Sequence, residues 1–108
     1  MLNDITLIDV RIKFPKSYKE FETWYLERES GLYPWLPIRN YWKDITDWMD
    51  INGLHLESTY YGDGRYSYNI FDYEDSYSFA FADIIFNSRE ESESNGLMTL
   101  FELREQML

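Results

Sequence analysis

Between residues 5 and 14 the apolar side chains fall on every second position. Thr6, Ile8, Val10, Ile12 and Phe14 alternate with Asp9, Arg11 and Lys13, a period of two that suits a strand buried on one face. The β-branched residues in that set favour the same reading, and Pro15 closes it. The spacing then changes. Tyr18, Phe21, Trp24, Tyr25 and Leu26 recur at near-helical intervals. Ser17 followed by Glu20 is a capping-box pair, and together these predict a helix from about residue 18 to about 28. Gly31, Pro34 and Pro37 break the pattern into an irregular connector. Beyond it, Ile38, Tyr41, Trp42, Ile45, Trp48 and Met49 lie at i, i+3, i+4, i+7, i+10 and i+11. That spacing puts them on one side of a helix over 37–50, which Asn52-Gly53 stops.

From Leu54 the period returns to two, predicting strands over 54–61, 65–72 and 76–86. Gly62-Asp63-Gly64 joins the first pair as a hairpin turn, and Tyr73-Glu74-Asp75 joins the second. Ser88 and Glu91 repeat the capping box ahead of a last helix. Glu90, Glu91 and Glu93 load its first turns with charge that the helix dipole favours. Leu97, Leu100, Phe101, Arg104 and Leu108 form its inner stripe, weakened at Gly96. The expected order is β-α-α-β-β-β-α in one domain over 1–108. This is an α+β fold, an antiparallel meander sheet covered by helices on one face.

Composition supports a folded chain. Of 108 residues 44% are hydrophobic and 19% aromatic, enough apolar surface for a core despite the high charge. The absence of Cys removes disulfides, thiolate metal sites and cysteine nucleophiles from consideration. The N-terminus lacks the basic start and unbroken apolar run of a signal peptide. No window approaches the roughly 20 apolar residues of a membrane span. A cytoplasmic protein with no membrane partner is expected.

The charge is segregated, and this narrows the function most. Residues 1–43 carry seven basic and six acidic side chains, net +1, whereas 44–108 carry three basic (Arg65, Arg89, Arg104) and fourteen acidic, net −11. Such a field repels phosphate backbones and steers basic protein surfaces into contact. Direct nucleic-acid binding is therefore not expected, because it needs Lys or Arg to displace counterions.

Catalytic chemistry finds little purchase. His55 is the single histidine, so neither the usual zinc sites nor a Cys–His pair can be assembled around it, and it reads as a sheet-face residue. Asp44, Asp47 and Asp50 recur every three residues; they offer a cation stripe or, more simply, the solvated side of an amphipathic helix. Gly62-Asp63-Gly64 is followed by a strand and no Lys, unlike a phosphate loop. No enzyme, metal or cofactor is expected. The segment 57–77 differs in kind. Glu57, Asp63, Asp72, Glu74 and Asp75 are interleaved with Tyr60, Tyr61, Tyr66, Tyr68, Tyr73 and Tyr77. Strand alternation cannot bury all six phenols on one face, so some must stand exposed beside carboxylates. Tyrosines of that kind are common interface anchors. The expected partner-binding set is Glu57, Tyr61, Asp63, Asp72, Tyr73, Glu74 and Asp75.

Over residues 41–108 the chain resembles small acidic accessory proteins of phages and mobile elements. In these a helix ending near a Gly leads into a strand meander and then a Ser-Arg-Glu-Glu-type cap. Trp48, Asn52, Gly53, Ser88, Arg89, Glu90, Glu91 and Leu97 carry the likeness. Small, acidic, cysteine-free phage proteins of this type include anti-CRISPR and DNA-mimic anti-restriction inhibitors. The resemblance implies a stoichiometric inhibitor of a nucleic-acid-handling host-defence enzyme, with a basic protein such as a nuclease as partner. The alternative is an immunity protein or antitoxin that neutralises a basic toxin, and it predicts the same electrostatics.

Overall fold

Asp9 decides the first element. Its carboxylate accepts the Thr6 backbone N–H at 2.8 Å, a reciprocal cap that starts a helix, and Leu7–Lys13 forms α1. The predicted strand over 5–14 is therefore corrected to a helix. Leu7 and Val10 are fully buried while Ile12 is 72% exposed, so the working period is i, i+3 and the alternation misleads. The computed structural model describes residues 4–73, 77–80 (as backbone) and 85–108.

Helix α2, Pro15–Leu26, starts earlier than the Ser17–Glu20 pair suggests, with Pro15 in its first turn, where a missing N–H costs nothing. Ser17 is wholly buried, and its hydroxyl donates to the Phe101 carbonyl at 2.9 Å. The cap comes from the far end of the chain. The Glu105 carboxylate accepts the Ser17 N–H at 2.7 Å and the Lys16 N–H at 3.3 Å, and Arg104 holds Glu20 through two bonds of 2.8 and 2.9 Å. Burial alone would raise the Glu105 pKa, but the Ser17 and Lys16 backbone amides outweigh it and hold the carboxyl below its ordinary value of 4.5. A depressed carboxylate stabilises the fold above its unfolded pKa, and that contribution fades as pH falls through the folded one. Glu105→Gln should thus cost about 1 kcal/mol near neutral pH, the usual worth of such a cap. The gap to wild type should close on acidification; a gap that persisted at low pH would show that the charge is not what caps α2.

A 3-10 turn, Ile38–Tyr41, enters α3, Trp42–Ile51. The Ile38 N–H donates to the Ile5 carbonyl at 2.7 Å, tying this entry to the segment before α1. Ile38, Tyr41, Ile45, Trp48 and Met49 are buried as their spacing predicts. The Trp48 ring lies 5.3 Å from both Phe21 and Phe101, which are 5.7 Å apart. This aromatic triangle joins α2, α3 and the last helix.

The strands are β1, Leu54–Gly62, β2, Arg65–Asp72, and β3, Tyr77–Ala80. They form an antiparallel sheet in the order β1-β2-β3. The β1–β2 turn has φ of +54° at Asp63 and +70° at Gly64, the left-handed pair that a two-residue hairpin requires. Of the strand predicted over 76–86, residues 77–80 pair with β2 and Phe86 bridges Tyr66; residues 81–84 lie outside the described set. Helix α4, Arg89–Met107, begins at Ser88, whose hydroxyl accepts the Glu91 N–H at 3.1 Å. Ser92 and Gly96 face the sheet, with Leu97, Leu100 and Phe101 completing the buried side. A Cβ on Gly96 would sit 3.0 Å from Leu56 Cδ1 and 3.3 Å from Tyr68 Cγ, so glycine lets helix and sheet close up. Gly96→Val should destabilise by about 1–3 kcal/mol, as overpacking does; an unchanged melting curve would mean that the contact is loose.

The fold is mixed α+β, and it opens with a helix where the sequence suggests a strand. Among the described residues no helix is long and apolar enough to cross a membrane.

Candidate interaction surface

Pairing across β1 and β2 sets which residues share a face. Leu54, Leu56, Ser58 and Tyr60 oppose Asp72, Ile70, Tyr68 and Tyr66, while His55, Glu57 and Thr59 oppose Phe71, Asn69 and Ser67. The buried apolar members Leu54, Leu56, Tyr68 and Ile70 belong to the first set, and α4 packs on that side; Ser67, wholly buried, belongs to the second. The second set forms the far face.

On the far face, His55 is the centre. Its Nδ1 lies 2.9 Å from Asp50 Oδ1 and its Nε2 3.5 Å from Glu57 Oε1, so the imidazole is held between two carboxylates. The Phe71 ring stacks on it at 6.4 Å, and the Tyr73 ring tilts over it at 5.9 Å. Asp50 reaches this position because α3 ends within five residues of His55 across the Asn52-Gly53 stop. Tyr73 is 59% exposed. An aromatic shelf edged by Asp50 and Glu57 results, open to solvent.

The hairpin tip carries a second aromatic group. Tyr60 and Tyr66 pack at 4.9 Å, and the Arg89 guanidinium sits 5.9 Å over the Tyr66 ring. Tyr60 and Tyr61 remain 59% and 43% exposed. The strand register shifts between Tyr60 and Gly62, a bulge that leaves Tyr61 as the extra residue and twists the tip. Asp63 is exposed in the turn itself.

No protein-family model, curated protein or solved structure matches the chain. Its surface must be read from its own side chains.

Of the residues expected to meet a partner, Glu57 and Tyr73 come together around His55. Tyr61 and Asp63 stand apart at the tip. Glu74 and Asp75 lie outside the described residues. Asp72 is only 8% exposed, and its register opposite Leu54 puts it on the face that carries Leu56 and Ile70. A lysine there would bury a charge rather than alter the surface. Asp50 and His55 are the members that spacing alone did not bring forward; the short Asn-Gly stop between helix and strand is the signal that joins them. The stripe Asp44, Asp47 and Asp50 is divided among separate tasks. Asp47 pairs with Lys43 at 2.8 Å, Asp50 with His55, and Asp44 is half-buried with its pKa raised by burial and by Glu29. Among the described residues no three His, Cys, Asp or Glu side chains are grouped to hold a metal ion. A cavity of about 370 Å³ at the start of α4 is lined by Asp4, Ile5, Ser88, Glu90, Glu91, Ser94 and Asn95; neither His55 nor Glu57 opens into it.

Proposed function

We propose that this chain is a stoichiometric inhibitor of a nucleic-acid-handling host-defence enzyme, of the anti-CRISPR or DNA-mimic type. It acts from the cytoplasm of the host cell through its acidic, tyrosine-bearing surface. The observation that carries this reading is the coincidence of charge and ring. The segment 44–108, with net charge −11, exposes Tyr60, Tyr61 and Tyr73 beside Asp50, Glu57 and Asp63. Carboxylates spaced among planar side chains can take the places of phosphates and bases in a basic channel. A meander sheet covered by helices on one face would leave Glu57 and Tyr73 on its other face, and the hairpin tip with Tyr60, Tyr61 and Asp63, for that contact. Electrostatic steering makes the encounter fast and salt-sensitive.

Affinity capture from a bacterial host lysate at low and raised salt tests it. A basic protein retained at low salt, lost as salt rises and released by added duplex DNA is the expected result. Capture indifferent to both salt and DNA would overturn the reading.

A further inference from the structure

We infer that the outer edge of β1, over residues 57–60, receives an extended lysine- or arginine-bearing segment of a basic protein, which adds to the sheet as a further strand. The inference rests on the acidic-surface reading above and specifies how its partner engages.

The backbone valences come first. Tyr66 donates its N–H to Phe86 and accepts the Phe86 N–H in return, both at 2.8 Å. Its peptide groups therefore point away from β1, which makes Tyr60–Tyr66 the kind of antiparallel pair that shares no bonds. The alternation repeats along the ladder, so Ser58 and Tyr60 aim their N–H and C=O groups outward. The other end agrees: the Gly53 carbonyl accepts the Tyr73 N–H at 2.9 Å, placing the odd-numbered residues in the ladder. In the sheet order β1 is an edge, and no described residue pairs on its outer side. Glu57, Ser58 and Tyr60 are exposed.

Natural sheets blunt such edges with Lys, Pro, bulges or a covering segment. Leu54–Gly62 contains neither Lys nor Pro, and its one bulge comes after residue 60. An open edge with free donors and acceptors is a template for an added strand. Charge then selects the occupant. An added strand places alternate side chains on the face of Glu57, within the field of Asp50 at one end and Asp63 at the other, where cations are favoured. A second copy is disfavoured, since each chain carries −10 and like charges repel.

The test uses the full isotope-labelled chain and a short synthetic peptide of alternating lysine and threonine. At low salt the peptide should slow amide exchange at Ser58 and Tyr60 by about tenfold or more, with smaller change at His55, Glu57 and Thr59, whose N–H groups are already bonded. Ser58→Pro removes an outward donor without touching the ladder; it should keep the wild-type circular dichroism and weaken the peptide about tenfold. Salt-sensitive binding that leaves Ser58 and Tyr60 unprotected overturns the edge inference while the acidic-surface reading stands. Absence of binding at low salt overturns both. Protection that grows with protein concentration and without peptide would put a second copy on the edge, which also overturns it. Should Ser58→Pro fail to fold, the exchange pattern of the unsubstituted chain decides the question.

Discussion

Trp48→Ala is expected to lower the melting temperature by roughly 12–20 °C, from a loss of about 3–5 kcal/mol. Trp48 is 1% exposed and its ring stands 5.3 Å from Phe21 and Phe101. Truncation removes one corner of the triangle that joins three helices, and a rigid core cannot close the space. The loss would take a large share of the roughly 5–15 kcal/mol that holds a domain of this size. Trp42, on the same helix but half-buried, should cost less when truncated. Thermal melting followed by circular dichroism checks both. Near-wild-type melting of Trp48→Ala would mean that α2, α3 and α4 do not share one core.

The buried side of the 3-10 turn and α3 is legible in the sequence because Ile38, Tyr41, Ile45, Trp48 and Met49 repeat at helical spacing with little competing signal. The hairpin is legible for a similar reason: Asp63-Gly64 between alternating runs leaves few alternatives. The first element is not. In residues 6–14 a period of two and a period near 3.6 overlap, and β-branched side chains weigh toward the strand. A single carboxylate, Asp9, tips the balance by capping Thr6, while Ile12 is left in solvent. The start of α2 is hidden for another reason. Its cap is Glu105, 88 residues away, and no local pattern announces a partner at that distance. Ser17 looks like a cap and instead serves as a buried tie to α4.

The proposed interaction surface is legible only in composition. Sequence shows that some tyrosines must be exposed beside carboxylates, but not which. Register decides that: Asp72, opposite Leu54, turns inward, whereas Glu57 turns outward beside His55. The contact between Asp50 and His55 depends on how α3 runs into β1, a tertiary fact that no periodicity encodes.

The second large effect follows from that placement. Asp50→Lys, Glu57→Lys and Asp63→Lys together reverse the local charge from −3 to +3 on exposed positions. Exposed charges add little to folding, so the melting temperature should change only slightly. Association with the captured basic partner should fall by about tenfold or more, chiefly in the on-rate and most strongly at low salt. Glu27→Lys, also exposed but just past the end of α2 in the near-neutral N-terminal part, should change it far less. Surface plasmon resonance at two salt concentrations separates these outcomes. Equal losses from the two variants would mean that overall charge, not this surface, governs the encounter.

The acidic surface is proposed to stand where nucleic acid would otherwise bind on the partner. The most direct test is an equilibrium titration of the captured partner with this protein at increasing concentrations of duplex DNA. Mutually exclusive binding predicts an apparent Kd that rises in proportion to the DNA, with no ternary complex. A Kd independent of DNA, or a stable complex of all three, would contradict it.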